Sequence, residues 1–111
     1  MTQQHAPSLD HWDIGRNLDT TWGPWGSDGN ARAKVLGEAD GYVVTLIEAQ
    51  AGYQGSLHEH NHAEFFYLIA GKVRNQGVEL NAGDGYAAAG GSIHSDFEAL
   101  TAATYINIWR L

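Results

Sequence analysis

What most constrains this chain is its punctuation. From Asp40 onward, glycine-centred turn signals interrupt every apolar run: Asp40-Gly41, Ala51-Gly52, Gly71, Asn75-Gln76-Gly77, the cluster Asn81 to Gly85, and Gly90-Gly91-Ser92. The segments between them are short and rich in β-branched and aromatic residues, which suit a pleated, half-buried surface. Tyr42 to Gln50 (YVVTLIEAQ) and Glu64 to Ala70 (EFFYLIA) read as strands. Val73 and Val78 to Leu80 flank Asn75-Gln76-Gly77 as the arms of a short hairpin. Thr104 to Leu111 (TYINIWRL) is apolar at both parities, the pattern of a strand covered on both faces. Short strands between recurrent turns define an all-β sandwich or barrel.

Upstream of Asp40 the pattern is weaker. Ser8 to Leu18 has room for a turn or two of helix, with Asp10 as a cap for Trp12 and Ile14, but is expected to form an extended arm. Thr20 to Asn30 (TTWGPWGSDGN) reads as a loop whose Trp22 and Trp25 seal a sheet edge or a dimer contact. The expected organisation is one compact domain: residues 1–34 as arm and tryptophan-containing loop, and residues 35–111 as the barrel.

Composition narrows the function. The 111 residues include no cysteine, which excludes disulfides, thiolate ligands and a cysteine nucleophile, so a metal must be held by His, Asp or Glu. Thirteen acids against six scattered bases give a net charge of −7, the wrong balance for nucleic acid or an anionic membrane surface. The longest apolar run, Phe65 to Ala70 with Tyr67 counted, falls far short of the roughly twenty residues of a membrane helix. Residues Met1 to Asp10 show neither the basic start nor the apolar run of a signal peptide. A soluble, cytoplasmic protein with no nucleic-acid or membrane partner is the expectation.

Chemistry concentrates in Leu57-His58-Glu59-His60-Asn61-His62-Ala63-Glu64. Alternate residues of a strand share a face, so His58 and His60 stand together about 7 Å apart along the backbone, close enough to share one ion. A turn at Asn61 to Ala63 would return Glu64 beside them, and His94, behind Gly90-Gly91, is free to arrive from another wall. His62 falls in the intervening turn, as a rim acid or base, an alternative ligand, or a solvated loop residue. Tyr53, Phe66, Leu68, Tyr86 and Trp109 are candidates for an apolar substrate wall, though aromatics in a domain of this size also serve as core.

Residues 52–71 (GYQGSLHEHNHAEFFYLIAG) resemble the first signature of the cupin superfamily: Gly, five residues, His-x-His, three or four residues, Glu, six residues, Gly. Gly52, His58, His60, Glu64 and Gly71 match it at every spacing. Residues 83–94 (GDGYAAAGGSIH) are similar to the second, with Gly83, Gly91 and His94 in place. Ala89 stands where the family usually has proline, and Glu98 where it often has asparagine. The resemblance implies an antiparallel jelly-roll β-barrel, usually a homodimer, holding one divalent transition metal (Fe, Mn, Ni, Co, Cu or Zn) on His58, His60, Glu64 and His94.

Four ligands on an octahedral ion leave about two positions open, and open positions mark a catalytic or sensing site. A small enolisable or hydroxylated carbonyl compound can chelate there, and Glu64 can leave the metal to act as general base. The resemblance to quercetin-dioxygenase-like and diketone-cleaving members makes a dioxygenase-like oxidoreductase the leading expectation. With zinc, the same enolate chemistry supports an isomerase, lyase or cyclase. The superfamily also includes ligand-sensing barrels and metal-holding modules like those of anti-sigma factors, and barrels in which the metal is structural.

Overall fold

A computed structural model describes residues 6–55 and 58–111, with His58 and Glu59 given by backbone alone. A 3-10 turn, Asn17–Asp19, is followed by eleven strands among the described residues: β1 (Gly23–Pro24), β2 (Ala31–Ala39), β3 (Tyr42–Ala49), β4 (His58–Glu59), β5 (Glu64–Ala70), β6 (Lys72–Asn75), β7 (Val78–Asn81), β8 (Gly85–Ala88), β9 (Ile93–His94), β10 (Phe97–Ala99) and β11 (Ala103–Arg110). All pairings are antiparallel. Six strands make one sheet in the order β1-β2-β3-β11-β5-β8, three make a second in the order β10-β6-β7, and β4 pairs with β9 as a short ribbon. The expected all-β antiparallel jelly-roll class holds, and among the described residues the sheets do not close into a hydrogen-bonded barrel. No helix among the described residues is long and apolar enough to cross a membrane.

The alternation read from the sequence is the alternation of burial. Val43, Thr45, Ile47 and Ala49 of β3 point inward, as do Glu64, Phe66 and Leu68 of β5. Of these, Ile47, Ala49, Phe66 and Leu68 meet Val73 and Ala99 of the smaller sheet in one core. Leu68, expected on a substrate wall, is fully buried in that core. On the opposite face of the larger sheet, Leu46, Ile106 and Tyr67 share one cross-strand row, and Val44, Ile108 and Phe65 the next.

The larger sheet reaches back past residue 34, where the arm was expected to end, because β2 begins at Ala31. The arm itself is extended. Its Asp13 Oδ2 accepts the Glu38 N–H at 2.9 Å, along the part of β2 that two-residue β1 leaves uncovered. Lys34, buried, donates its Nζ to the backbone and side-chain oxygens of Asn17 at 2.6 and 2.8 Å. Arg32 and Lys34 both lie over the Trp22 ring, 4.2 and 4.4 Å from its centroid, so this indole does seal a sheet edge.

Two glycines fix corners that no other residue fits as well. Gln76 (φ 51°) and Gly77 (φ 77°) form the two-residue left-handed turn that matches the twist of β6 and β7. Gly71 (φ 88°) packs so tightly that a Cβ would fall on the Ala102 carbonyl oxygen. Gly71→Ala is therefore expected to cost about 2–4 kcal/mol in urea unfolding. Gly77→Asn, at an open position, should cost less than about 1 kcal/mol.

Candidate metal centre

Four elements bring the candidate ligands together. Glu64 opens β5 at inward parity and is 4% exposed. His94 ends β9, which lies against β4 so that His58 and His94 are register partners. His60, just past β4, is tied on both backbone sides to the turn before β9: its N–H donates to Ser92 O at 3.2 Å and its carbonyl accepts from Gly91 N at 2.6 Å. That turn keeps its shape without the family's proline, closed by Ser92 N–H on Ala89 O at 3.1 Å and by Gly91 at φ 86°. Glu98, the other departure, lies within the smaller sheet on β10 and pairs with its register partner Arg74 at 2.8 Å.

The result is a carboxylate held between two imidazoles. Glu64 Oε1 is 3.3 Å from His60 Nε2, and Oε2 is 3.3 Å from His94 Nδ1. The two rings stand edge to face, 4.4 Å between centroids. On its outer side, Oε2 accepts the Tyr86 hydroxyl at 2.7 Å and Oε1 accepts Asn107 Nδ2 at 3.3 Å. Ser92 Oγ lies 2.9 Å from the other nitrogen of His94, Nε2, and sets the orientation of that ring.

One ligand atom from each of His60, Glu64 and His94 lies within 4.8 Å of the others. Donors sharing one ion at about 2.1 Å stand roughly 3–4 Å apart, so a small contraction suffices. Imidazole nitrogen and carboxylate oxygen suit first-row divalent metals. These three residues can hold a metal ion. The His58 side chain, expected as the fourth ligand, lies outside the described residues. His62 is exposed on the bend before β5 and is not among the three.

Beside the cluster lies a cavity of about 300 Å³. Of the expected wall residues, Tyr53, Phe66, Tyr86 and Trp109 line it, and Leu68 does not. Sequence reasoning missed Trp25, which was placed at an edge or dimer contact but packs on Trp109 (6.2 Å between centroids) at the cavity wall. It also missed Phe97, Tyr105 and Asn107. The two on β11 were accessible, since Tyr105, Asn107 and Trp109 alternate on one face.

Burial, reinforced by the negative charge of Glu64, pushes the Tyr86 phenol far above its usual value of 10.0. Burial does the same to Tyr105, with smaller contributions from Tyr53 and Glu64. The folded state thus favours both phenols protonated. Their contribution to stability is complete below about pH 10 and declines above it, by about 1.4 kcal/mol per phenol per pH unit. Tyr105→Phe should reduce the slope of stability against pH above 10 by about one proton, measured by denaturant titration across that range.

The fold and the donor set define a small cupin-superfamily protein. The family model for the ChrR cupin-like domain matches residues 14–111, and the chain belongs to that family. Among solved structures, an RmlC-like cupin from Shewanella frigidimarina superposes with a TM-score of 0.75 at 23% identity, covering 87% of this chain and 88% of that one. An acetylacetone dioxygenase from Acinetobacter johnsonii gives 0.72 at 11% identity over 99% of this chain and 78% of that one. Rhodobacter sphaeroides ChrR, an anti-sigma protein seen in complex with SigE, gives 0.72 at 20% identity, and this chain covers 57% of it. At these identities the likeness is one of fold. No curated protein matches the sequence.

Proposed function

We propose that this protein binds one divalent transition metal through His60, Glu64 and His94, with His58 as a fourth ligand, and acts on a small enolisable or hydroxylated carbonyl compound in a dioxygenase-like reaction. The observation that carries this reading is the buried Glu64 carboxylate between two imidazoles at the side of an aromatic cavity. A bound metal supplies a Lewis acid that favours an enolate and, where redox-active, a path for electrons to oxygen. The chain's own contribution is shape and dryness. Phe66 and Tyr86, stacked at 4.7 Å, present a flat apolar wall suited to a planar ligand. The cavity volume lies at the low end for small-molecule sites. One structural neighbour is named for acetylacetone, a small diketone of this kind.

A sensing module is the second reading, favoured by membership of a family named for ChrR. Elemental analysis of untagged protein and oxygen uptake separate the two. The enzyme reading expects near-stoichiometric iron, manganese, nickel, cobalt or copper, lost in His60→Ala, and oxygen consumption with β-diketones, hydroxyketones or flavonols. Stoichiometric metal with a ligand that raises the Tm but consumes no oxygen favours sensing. Zinc without oxygen uptake favours isomerase, lyase or cyclase chemistry, and absence of metal after reconstitution overturns the metal-based mechanism.

We also infer a homodimer. Leu9, Trp12 and Ile14 of the arm, and Phe65, Tyr67 and Ile69 of β5, are 45–72% exposed. Together with Leu18 they offer apolar area on the order of 800 Å² at usual side-chain sizes, the share each partner gives to a standard interface. A second copy covers both sets at once through an isologous contact. Light scattering should give the mass of a dimer, and Tyr67→Lys should shift it to a monomer. A monomeric full-length protein ends this inference.

A further inference from the structure

Glu64 has a partner on each side of each oxygen. Oε1 faces His60 inward and accepts Asn107 Nδ2 outward. Oε2 faces His94 inward and accepts the Tyr86 hydroxyl outward. A carboxylate oxygen has two in-plane lone pairs, so one donor on each oxygen leaves a second lone pair for a histidine or an ion. Both outer donors are held by rigid structure. Tyr86 pairs with Phe66 across β5 and β8, and their rings stack at 4.7 Å and 11°. Asn107 lies within β11 between β3 and β5, and its backbone carbonyl accepts the Thr45 hydroxyl at 2.6 Å.

Asn107 sharpens the point. Its Oδ1 is buried without a hydrogen-bond partner, while its Nδ2 serves Glu64. Turning the amide over would bring its oxygen against the carboxylate. The amide is therefore oriented by the site and not by its own satisfaction. A Glu64 that swung away would leave the Asn107 amide without its acceptor and the Tyr86 hydroxyl with the Asn75 side chain alone.

We propose that Tyr86 and Asn107 are positioning residues that lock Glu64 in place as a permanent ligand, so that it does not act as a mobile general base. This rests on the metal-binding reading above and reassigns the acid–base role expected of Glu64. The locked carboxylate sets the geometry of the centre, and the two donors set its affinity from outside the ligand set.

Tyr86→Phe and Asn107→Leu test this, each removing one outer donor while keeping side-chain volume. Thermal unfolding followed by circular dichroism checks the fold, and either variant alone suffices if the other does not fold. Long-range proton–nitrogen spectra of the metal-free protein report the His60 and His94 rings. Chelator competition and visible absorption report Co(II) binding. Expected are displaced ring resonances, Co(II) affinity lower by about 10–100-fold, and an altered Co(II) spectrum. Unchanged resonances, affinity and spectrum in a folded variant overturn the proposal while leaving the metal reading intact. Displaced resonances in a chain whose wild type takes up no Co(II) support the lock on Glu64 and overturn the metal reading instead.

Discussion

The structure depends on the burial of one carboxylate. An ionised Glu taken out of water is costly unless its oxygens are matched, and Glu64 is 4% exposed. Its partners come from β8, β9, β11 and the segment after β4, so satisfying it requires four separate segments between residues 60 and 107 to converge. The constraint runs from electrostatics to topology. β5 must sit between β11 and β8 for Asn107 and Tyr86 to flank it, and that is the order of the larger sheet. Stability alone does not call for this arrangement, because an apolar residue of similar volume at position 64 would close the core more cheaply.

The core between the two sheets is divided along its length. Ile47, Leu68 and Val73 are packed to zero exposure, while Phe66, Tyr105 and Phe97 tilt against one another around an open space. Aliphatic side chains fill volume, and rigid rings bound it. The change from one to the other occurs within a single strand, between Leu68 and Phe66 of β5, two residues apart on the same face. This explains why Leu68 and Phe66 look alike as wall candidates in the sequence yet have different roles. Parity assigns a face, but position along the strand decides between core and cavity.

The legible parts of the sequence were those with a local signal. Strands β3, β5 and β11 carry β-branched and aromatic residues between glycines, and they run within a residue or so of the boundaries read from turns. The ligand candidates were legible because His60, Glu64 and His94 keep a spacing that few other sites share. Strand β2 was not, since Ala-Arg-Ala-Lys-Val-Leu-Gly-Glu-Ala is poor in strand-forming residues. It is extended because β3 pairs along it and because Trp22, Asn17 and Asp13 hold it from outside. Tyr86 was legible as a wall but not as a donor, and nothing in a strand apolar at both parities singles out Asn107. Trp25 lies in a loop, where no periodicity announces a destination.

The fold alone does not separate catalysis from sensing, since one ligand cluster serves either. The separation lies in how firmly the cluster is held and how the cavity beside it is bounded. A carboxylate braced by Tyr86 and Asn107 gives a centre whose geometry is set before a ligand arrives, which favours any process that depends on preorganisation. The same bracing withholds Glu64 from proton transfer. Among the described titratable residues lining the cavity, those outside the ligand cluster are Tyr53, Tyr86 and Tyr105, each shifted so as to keep its proton. Under the metal-dependent reading proposed above, a substrate that already carries an acidic C–H or O–H is the kind that suits such a site. Diketones, hydroxyketones and flavonols share that property, and the aromatic walls suit their planar shapes, which is why the proposed reading favours them.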